Sequence, residues 1–172
     1  MTDLLDKLTR GDLRSIGRSQ EVVDDVLADP PLFDELVLGM LHAEPVVRMR
    51  AADAVEKVTR LHPEWLQAYK TLLIEKIALL EQPEVRWHVC QLLPRLELTA
   101  TECQMVMDIL DGYLSDKSSI VKTFTMQALA DFAIKDVELR SAIIQKLETL
   151  TTNGTPAMKS RGKKLLKTLK RE

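Results

Sequence analysis

Val47-Arg48-Met49-Arg50-Ala51-Ala52-Asp53-Ala54-Val55, Val85-Arg86-Trp87-His88-Val89-Cys90-Gln91-Leu92-Leu93, Val121-Lys122-Thr123-Phe124-Thr125-Met126-Gln127-Ala128-Leu129 and Met158-Lys159-Ser160-Arg161-Gly162-Lys163-Lys164-Leu165-Leu166 align without gaps. The basic second positions, Arg48, Arg86, Lys122 and Lys159, lie 38, 36 and 37 residues apart. A fixed period of this length marks a chain built from one repeated supersecondary unit. Each segment follows a breaker or capping cluster: Glu44-Pro45, Gln82-Pro83-Glu84, Asp116-Lys117-Ser118-Ser119 and Asn153-Gly154-Thr155-Pro156. Proline in a first turn and a capping Ser or Thr are helix-start signals.

A second amphipathic helix is expected between consecutive segments. Phe33, Leu36, Val37, Met40 and Leu41 share one helical face, as do Leu66, Tyr69, Leu73, Ile77 and Leu80. Cys103, Val106, Met107, Leu110 and Leu114 make the third such face, and Ile143, Ile144, Leu147 and Leu150 the fourth. Thr99 and Glu102 have the spacing of a capping box, Leu98 and Cys103 that of a hydrophobic staple, and Asp136 is a further cap.

This pattern resembles the HEAT-repeat (armadillo-like) family. Its second helix reads Val-Arg, two variable residues, Ala, two variable residues, Ala-Leu, after an acidic or proline-containing turn. Residues 47–58 and 121–132 match best; Val89 replaces the small residue in the second unit, and Met158, Gly162 and Lys163-Lys164 depart further in the fourth. The chain also looks like small stand-alone bacterial HEAT-repeat proteins of unassigned function. The resemblance implies an all-α fold, a right-handed α-α superhelix (solenoid) of about four helix pairs with an N-terminal helical cap. We therefore expect a single domain over 1–172, with a cap at 1–30 and helix pairs at 31–60, 63–97, 99–133 and 136–170. Leu4, Leu5, Leu8, Leu13, Ile16, Val22, Val23, Val26 and Leu27 give the cap its apolar face, broken by Gly11 and Gly17.

Composition agrees with this class. A chain of 172 residues buries about 68–70% of its unfolded surface. The 45% hydrophobic, 29% charged and 4% aromatic content suits a helical protein and argues against a sandwich or barrel. Acids at Asp3 and Asp6 stand where a secretory signal carries bases, and the most apolar stretch, Thr71 to Leu80, is broken by Glu75-Lys76. Cys90 and Cys103 lack paired spacing and read as free thiols. A cytoplasmic protein without a membrane partner is expected.

With about 100° per residue, repeat positions 1, 5, 8 and 12 point inward and positions 3, 6, 7 and 10 outward, toward the concave face of a solenoid. The expected strip reads Met49, Ala52, Asp53 and Glu56, then Trp87, Cys90, Gln91 and Pro94, then Thr123, Met126, Gln127 and Ala130, then Ser160, Lys163, Lys164 and Lys167. A large outward aromatic is a natural anchor, so Trp87 leads the candidates. Met49 and Met126 supply adaptable apolar contacts, and Gln91 and Gln127 offer amides to a partner backbone. Asp53, Glu56, Lys163 and Lys164 set the polarity of what binds. The basic second positions read first as a ladder between units. The last 22 residues hold seven bases against Glu172, whereas the first 150 hold 17 bases and 25 acids.

No phosphate-binding Gly-rich loop, nucleophile elbow or His-Glu-x-x-His is present, so no enzymatic activity, cofactor or metal is expected. His42-x-Glu44 and His62-x-Glu64 sit at helix ends, and residues two apart on a helix diverge. The expected function is a non-enzymatic protein-protein interaction scaffold or adaptor that binds a partner protein or peptide segment through Met49, Asp53, Glu56, Trp87, Gln91, Met126, Gln127, Lys163 and Lys164. The alternative is a nucleic-acid-binding HEAT-like protein related to DNA glycosylases, acting through the basic C-terminal unit. A duplex needs phosphate contacts spread along the groove, and acids at Asp53 and Glu56 place nucleic acid second.

Overall fold

Pro45, Pro83 and Pro156 each stand in the first turn of a helix, where the missing N–H is one of the unpaired donors anyway. Side-chain caps mark four helix starts. Thr99 and Glu102 close a reciprocal capping box, Ser118 accepts from the Val121 N–H, Asp136 from Glu138 and Thr155 from Met158. These local signals partition the computed structural model, which describes residues 3–171. Met1, Thr2 and Glu172, and with Glu172 the last acidic charge, lie outside the described residues. The described residues are helical, with no strand among them.

The chain divides into two compact units, Met1–Glu97 and Leu98–Glu172. In the first, α1 (Asp3–Asp6) and α2 (Ser19–Ala28) are followed by a 3-10 turn at Pro30–Leu32 and by α3 (Phe33–Gly39) and α4 (Pro45–Leu61). A 3-10 stretch at Pro63–Tyr69, the short α5 (Lys70–Glu75) and another 3-10 turn at Ile77–Leu79 lead to α6 (Pro83–Leu92), which ends in a 3-10 turn at Leu93–Arg95. The second unit contains α7 (Ala100–Tyr113), α8 (Ser119–Lys135), α9 (Val137–Asn153) and α10 (Pro156–Leu169).

Two long helices form the centres of these units. α4 packs against α2, α3 and α6, and α8 against α7, α9 and α10. Side-chain bonds recur within each unit at nearly the period of the sequence. Ser19–Asp53 and Arg48–Gln82 are each 34 residues apart and Arg95–Glu56 is 39. Ser119–Thr155 spans 36 and Arg161–Gln127 spans 34. Arg48 therefore does link successive elements, but to the Gln82 amide at 2.8 Å and the carbonyls of His42 and Ala43.

Two departures follow from packing. The expected helix through Leu66–Leu80 is divided between 3-10 and α segments, with Lys76 leaving helical geometry at φ −129°. In the cap, Leu4, Leu8, Val22, Val23 and Val26 are buried as expected, whereas Leu13 and Ile16 are exposed on the loop joining α1 to α2.

Candidate functional site

The 3-10 stretch after Pro63 winds at three residues per turn, so side chains three apart eclipse one another. His62, Trp65 and Ala68 are consequently aligned, and the imidazole of His62 stacks on Trp65 with centroids 4.4 Å apart and planes inclined by 12°. Buried Phe33 meets Trp65 edge-on at 5.7 Å and Tyr69 edge-on at 5.5 Å, the arrangement favoured by aromatic quadrupoles. Across from these rings lie Pro30 and Pro31. Together with Ala68 and Asp34 they line an open groove of about 490 Å³.

Polar groups sit at one end of it. Tyr69 donates its hydroxyl to Asp34 Oδ1 at 3.2 Å, and burial followed by the Asp34 charge pushes the phenol above its ordinary pKa. Asp34 is exposed. The indole N–H of half-buried Trp65 has no acceptor among the described residues. The groove thus offers π faces, proline rings, one carboxylate and one open donor.

The expected concave residues take different positions. Met49 and Met126 were expected to face outward; they are 6% and 0% exposed. Ala52, Cys90 and Ala130 are buried with them. The reason is the central placement of α4 and α8: a helix touched by three neighbours keeps no broad free face. Trp87 and Gln91 are half-buried on α6; the Trp87 ring tilts against His88 at 5.8 Å, and the Gln91 amide returns to the Trp87 carbonyl at 3.3 Å. Gln127 is half-buried, donating to Asp131 and accepting from Arg161 at 2.7 Å. Lys163 and Lys164 are exposed on α10.

Asp53 and Glu56, expected to give the strip its acidic start, are engaged internally. Asp53 Oδ2 accepts from Ser19 Oγ and Lys57 Nζ, each at 2.8 Å, and Oδ1 lies 3.7 Å from His88 Nε2. Burial raises its carboxyl pKa, but the neighbouring His88 ring and the bonds from Lys57 and Ser19 outweigh that and hold it well below the usual range. Ser19, Asp53 and His88 are thus gathered, yet the serine donates to the aspartate and not to the histidine. Nucleophile activation needs the base on the hydroxyl, so this set works as a joint between α2, α4 and α6.

Glu56, 4% exposed, is held by Arg60 and by Arg95. Arg95 Nη2 donates to its Oε1 at 2.7 Å, while Nη1 donates to the Glu56 carbonyl and to Thr59 Oγ1. Here too burial pushes the carboxyl up, and the two guanidinium groups bring it below its ordinary value. Both acids are consumed in joining elements.

No protein-family model, curated protein or solved structure matches this chain. Trp65 is the residue that helical-face reasoning passed over, because it belongs to a period of three. Pro63-Glu64-Trp65 after His62 was the available signal: a proline-led turn with an aromatic three residues beyond a histidine.

Proposed function

We propose that the chain is a non-enzymatic protein-interaction module whose first unit takes an extended, proline-containing partner segment with an adjacent Lys or Arg. The groove formed by Phe33, Trp65 and Tyr69 against Pro30 and Pro31 carries this reading. Polyproline-II segments dock in aromatic-lined grooves because their conformation is preformed and their rings lie flat on aromatic faces. The open indole donor of Trp65 suits a segment carbonyl, and exposed Asp34 suits a neighbouring cation. Of the residues expected to bind, half-exposed Trp87 and Gln91 remain available, whereas Met49, Met126, Asp53 and Glu56 enter the proposal as scaffold.

The test is titration of the protein with synthetic proline-rich peptides bearing or lacking an Arg. Binding that is lost in Trp65→Ala, weakened in Asp34→Asn and kept in Trp87→Phe supports the reading. Equal binding by wild type and Trp65→Ala rejects it.

The HEAT-type character of the helix pairs belongs to the same proposal. It is supported by side-chain bonds that repeat at 34–39 residues, and the family resemblance then implies a right-handed solenoid. No helix among the described residues is long and apolar enough to cross a membrane.

One observation favours nucleic acid as a second partner: Lys159, Lys163, Lys164 and Lys167 are exposed along α10. This reading requires association with DNA or RNA that weakens steeply with salt and is lost in Lys163→Glu/Lys164→Glu. A low-salt gel shift unchanged by that pair of substitutions removes it.

A further inference from the structure

Arg50 projects from α4 into the loop between α1 and α2 and is 2% exposed. Its guanidinium donates to the carbonyls of Leu8 at 3.0 Å, Thr9 at 3.1 Å, Arg10 at 2.5 Å and Ser15 at 2.9 Å, with a longer contact to Asp12. The loop is shaped around it. Gly11 and Gly17 have φ of +88° and +56°, and a Cβ on Gly17 would come within 2.8 Å of the guanidinium. Arg10 adopts a φ of 66°, uncommon for a residue with a side chain, and its carbonyl is held by Arg50 in that conformation. Carbonyl dipoles solvate this buried cation, and no carboxylate of the described residues pairs with it.

Beside the cage opens a cleft of about 640 Å³ that Lys7, Arg10, Arg18 and Arg50 line, with Asp6 the one carboxylate among the described residues of its wall. Asp25 answers Lys7 at 2.5 Å and Glu21 answers Arg18 at 2.7 Å. The Arg18 bond is the main reason the Glu21 carboxyl lies below its ordinary pKa, and the Lys7 charge adds to it. Rim cations thus act on one locale. Arg10, exposed at the cleft, has no side-chain partner among the described residues, so its charge and that of Arg50 are unmatched.

We propose that this cleft binds a small phosphate-bearing ligand. The phosphate sits against Arg10, with Lys7 and Arg18 alongside, above the fixed charge of Arg50. A guanidinium matches two phosphate oxygens at once, and a converging set of cations raises the local concentration of an anion. The volume is that of a small-molecule site and leaves room for a sugar-sized body beside the phosphate. No aromatic side chain lines the cleft to stack a base, so a sugar phosphate or a pyrophosphate fits and a nucleotide does not. This site is separate from the aromatic groove and independent of the protein-interaction reading.

Calorimetric titration with inorganic pyrophosphate and with ribose 5-phosphate at fixed ionic strength tests the proposal. One-site binding of either compound, weakened at least roughly tenfold in Arg10→Ala and partly kept in Arg10→Lys, supports it. Arg10 is exposed, and an unchanged thermal melt of both variants establishes that they are folded. An unaltered affinity in Arg10→Ala, an equal affinity for sulfate, or no heat with either phosphate overturns it. Binding only to vesicles of phosphatidic acid, with none to the free phosphates, also overturns it, since the ligand is then a membrane surface.

Discussion

Glu56 makes two ion pairs of very different environment, and only one of them should matter for stability. Arg60 reaches it from the next turn of α4 with a side chain 65% exposed. Arg95 reaches it from 39 residues away with a side chain 19% exposed, against a Glu56 side chain at 5%. An exposed pair four residues apart on a helix contributes about 0.3–0.5 kcal/mol. A shielded, charge-assisted bond contributes about 1.5–3 kcal/mol. A double-mutant cycle with Glu56→Gln and Arg95→Met should therefore return a coupling near 2 kcal/mol. The same cycle with Arg60→Met should return less than about 0.5 kcal/mol. Arg95→Met also breaks the bonds to Thr59 and the Glu56 carbonyl, and the cycle cancels those losses.

Urea unfolding followed by tryptophan fluorescence is the suitable assay, because Trp65 and Trp87 both belong to the first unit. The pH dependence supplies a second readout. The folded state holds the Glu56 carboxyl below its unfolded value, so its contribution is complete above about pH 5 and is lost as pH falls through the folded pKa. The stability difference between wild type and Glu56→Gln should be flat from neutral pH to that point and then shrink. Equal couplings in the two cycles, or a difference that grows on acidification, refute the reasoning.

Two further substitutions probe the packing of each unit. Arg50→Met leaves the carbonyls of the Leu8–Ser15 loop without their shared donor; it should cost about 3–4 kcal/mol in urea unfolding and speed amide exchange in residues 8–17. A loss under about 1 kcal/mol would show that water replaces the guanidinium freely. In the second unit, a Cβ on Gly162 would lie 1.9 Å from Thr151 Oγ1, so Gly162→Val should lower the melting temperature by an amount equivalent to about 3 kcal/mol. Suppression by Thr151→Ala is expected, and an unchanged melting temperature in Gly162→Val contradicts that close approach of α9 and α10.

Helix starts were legible because they depend on a few neighbouring residues: Pro45, Pro83 and Pro156, the Thr99–Glu102 box, and the caps at Ser118, Asp136 and Thr155 all act where their spacing indicates. Faces were less legible because burial depends on how many neighbours a helix has. The outward positions of α4 and α8 carried their own warning in Met49, Ala52, Met126 and Ala130, which are apolar where a solvated face is polar. The fates of Asp53 and Glu56 were hidden for another reason. Their partners Ser19, His88 and Arg95 lie 34 to 39 residues away, and aligning repeats compares equivalent positions without indicating which unlike positions meet. Trp65 escaped because a 3-10 segment does not follow the helical period on which the faces were drawn.

The groove remains the central claim, and Trp87→Phe protein, in which Trp65 is the sole tryptophan, tests it most directly. Titration with a proline-rich, Arg-containing peptide should shift Trp65 emission to shorter wavelength and saturate, as a ring leaving water requires, with Asp34→Asn needing several-fold more peptide. An emission spectrum that does not change up to millimolar peptide, or saturates identically in Asp34→Asn and with an Arg-free peptide, contradicts the account.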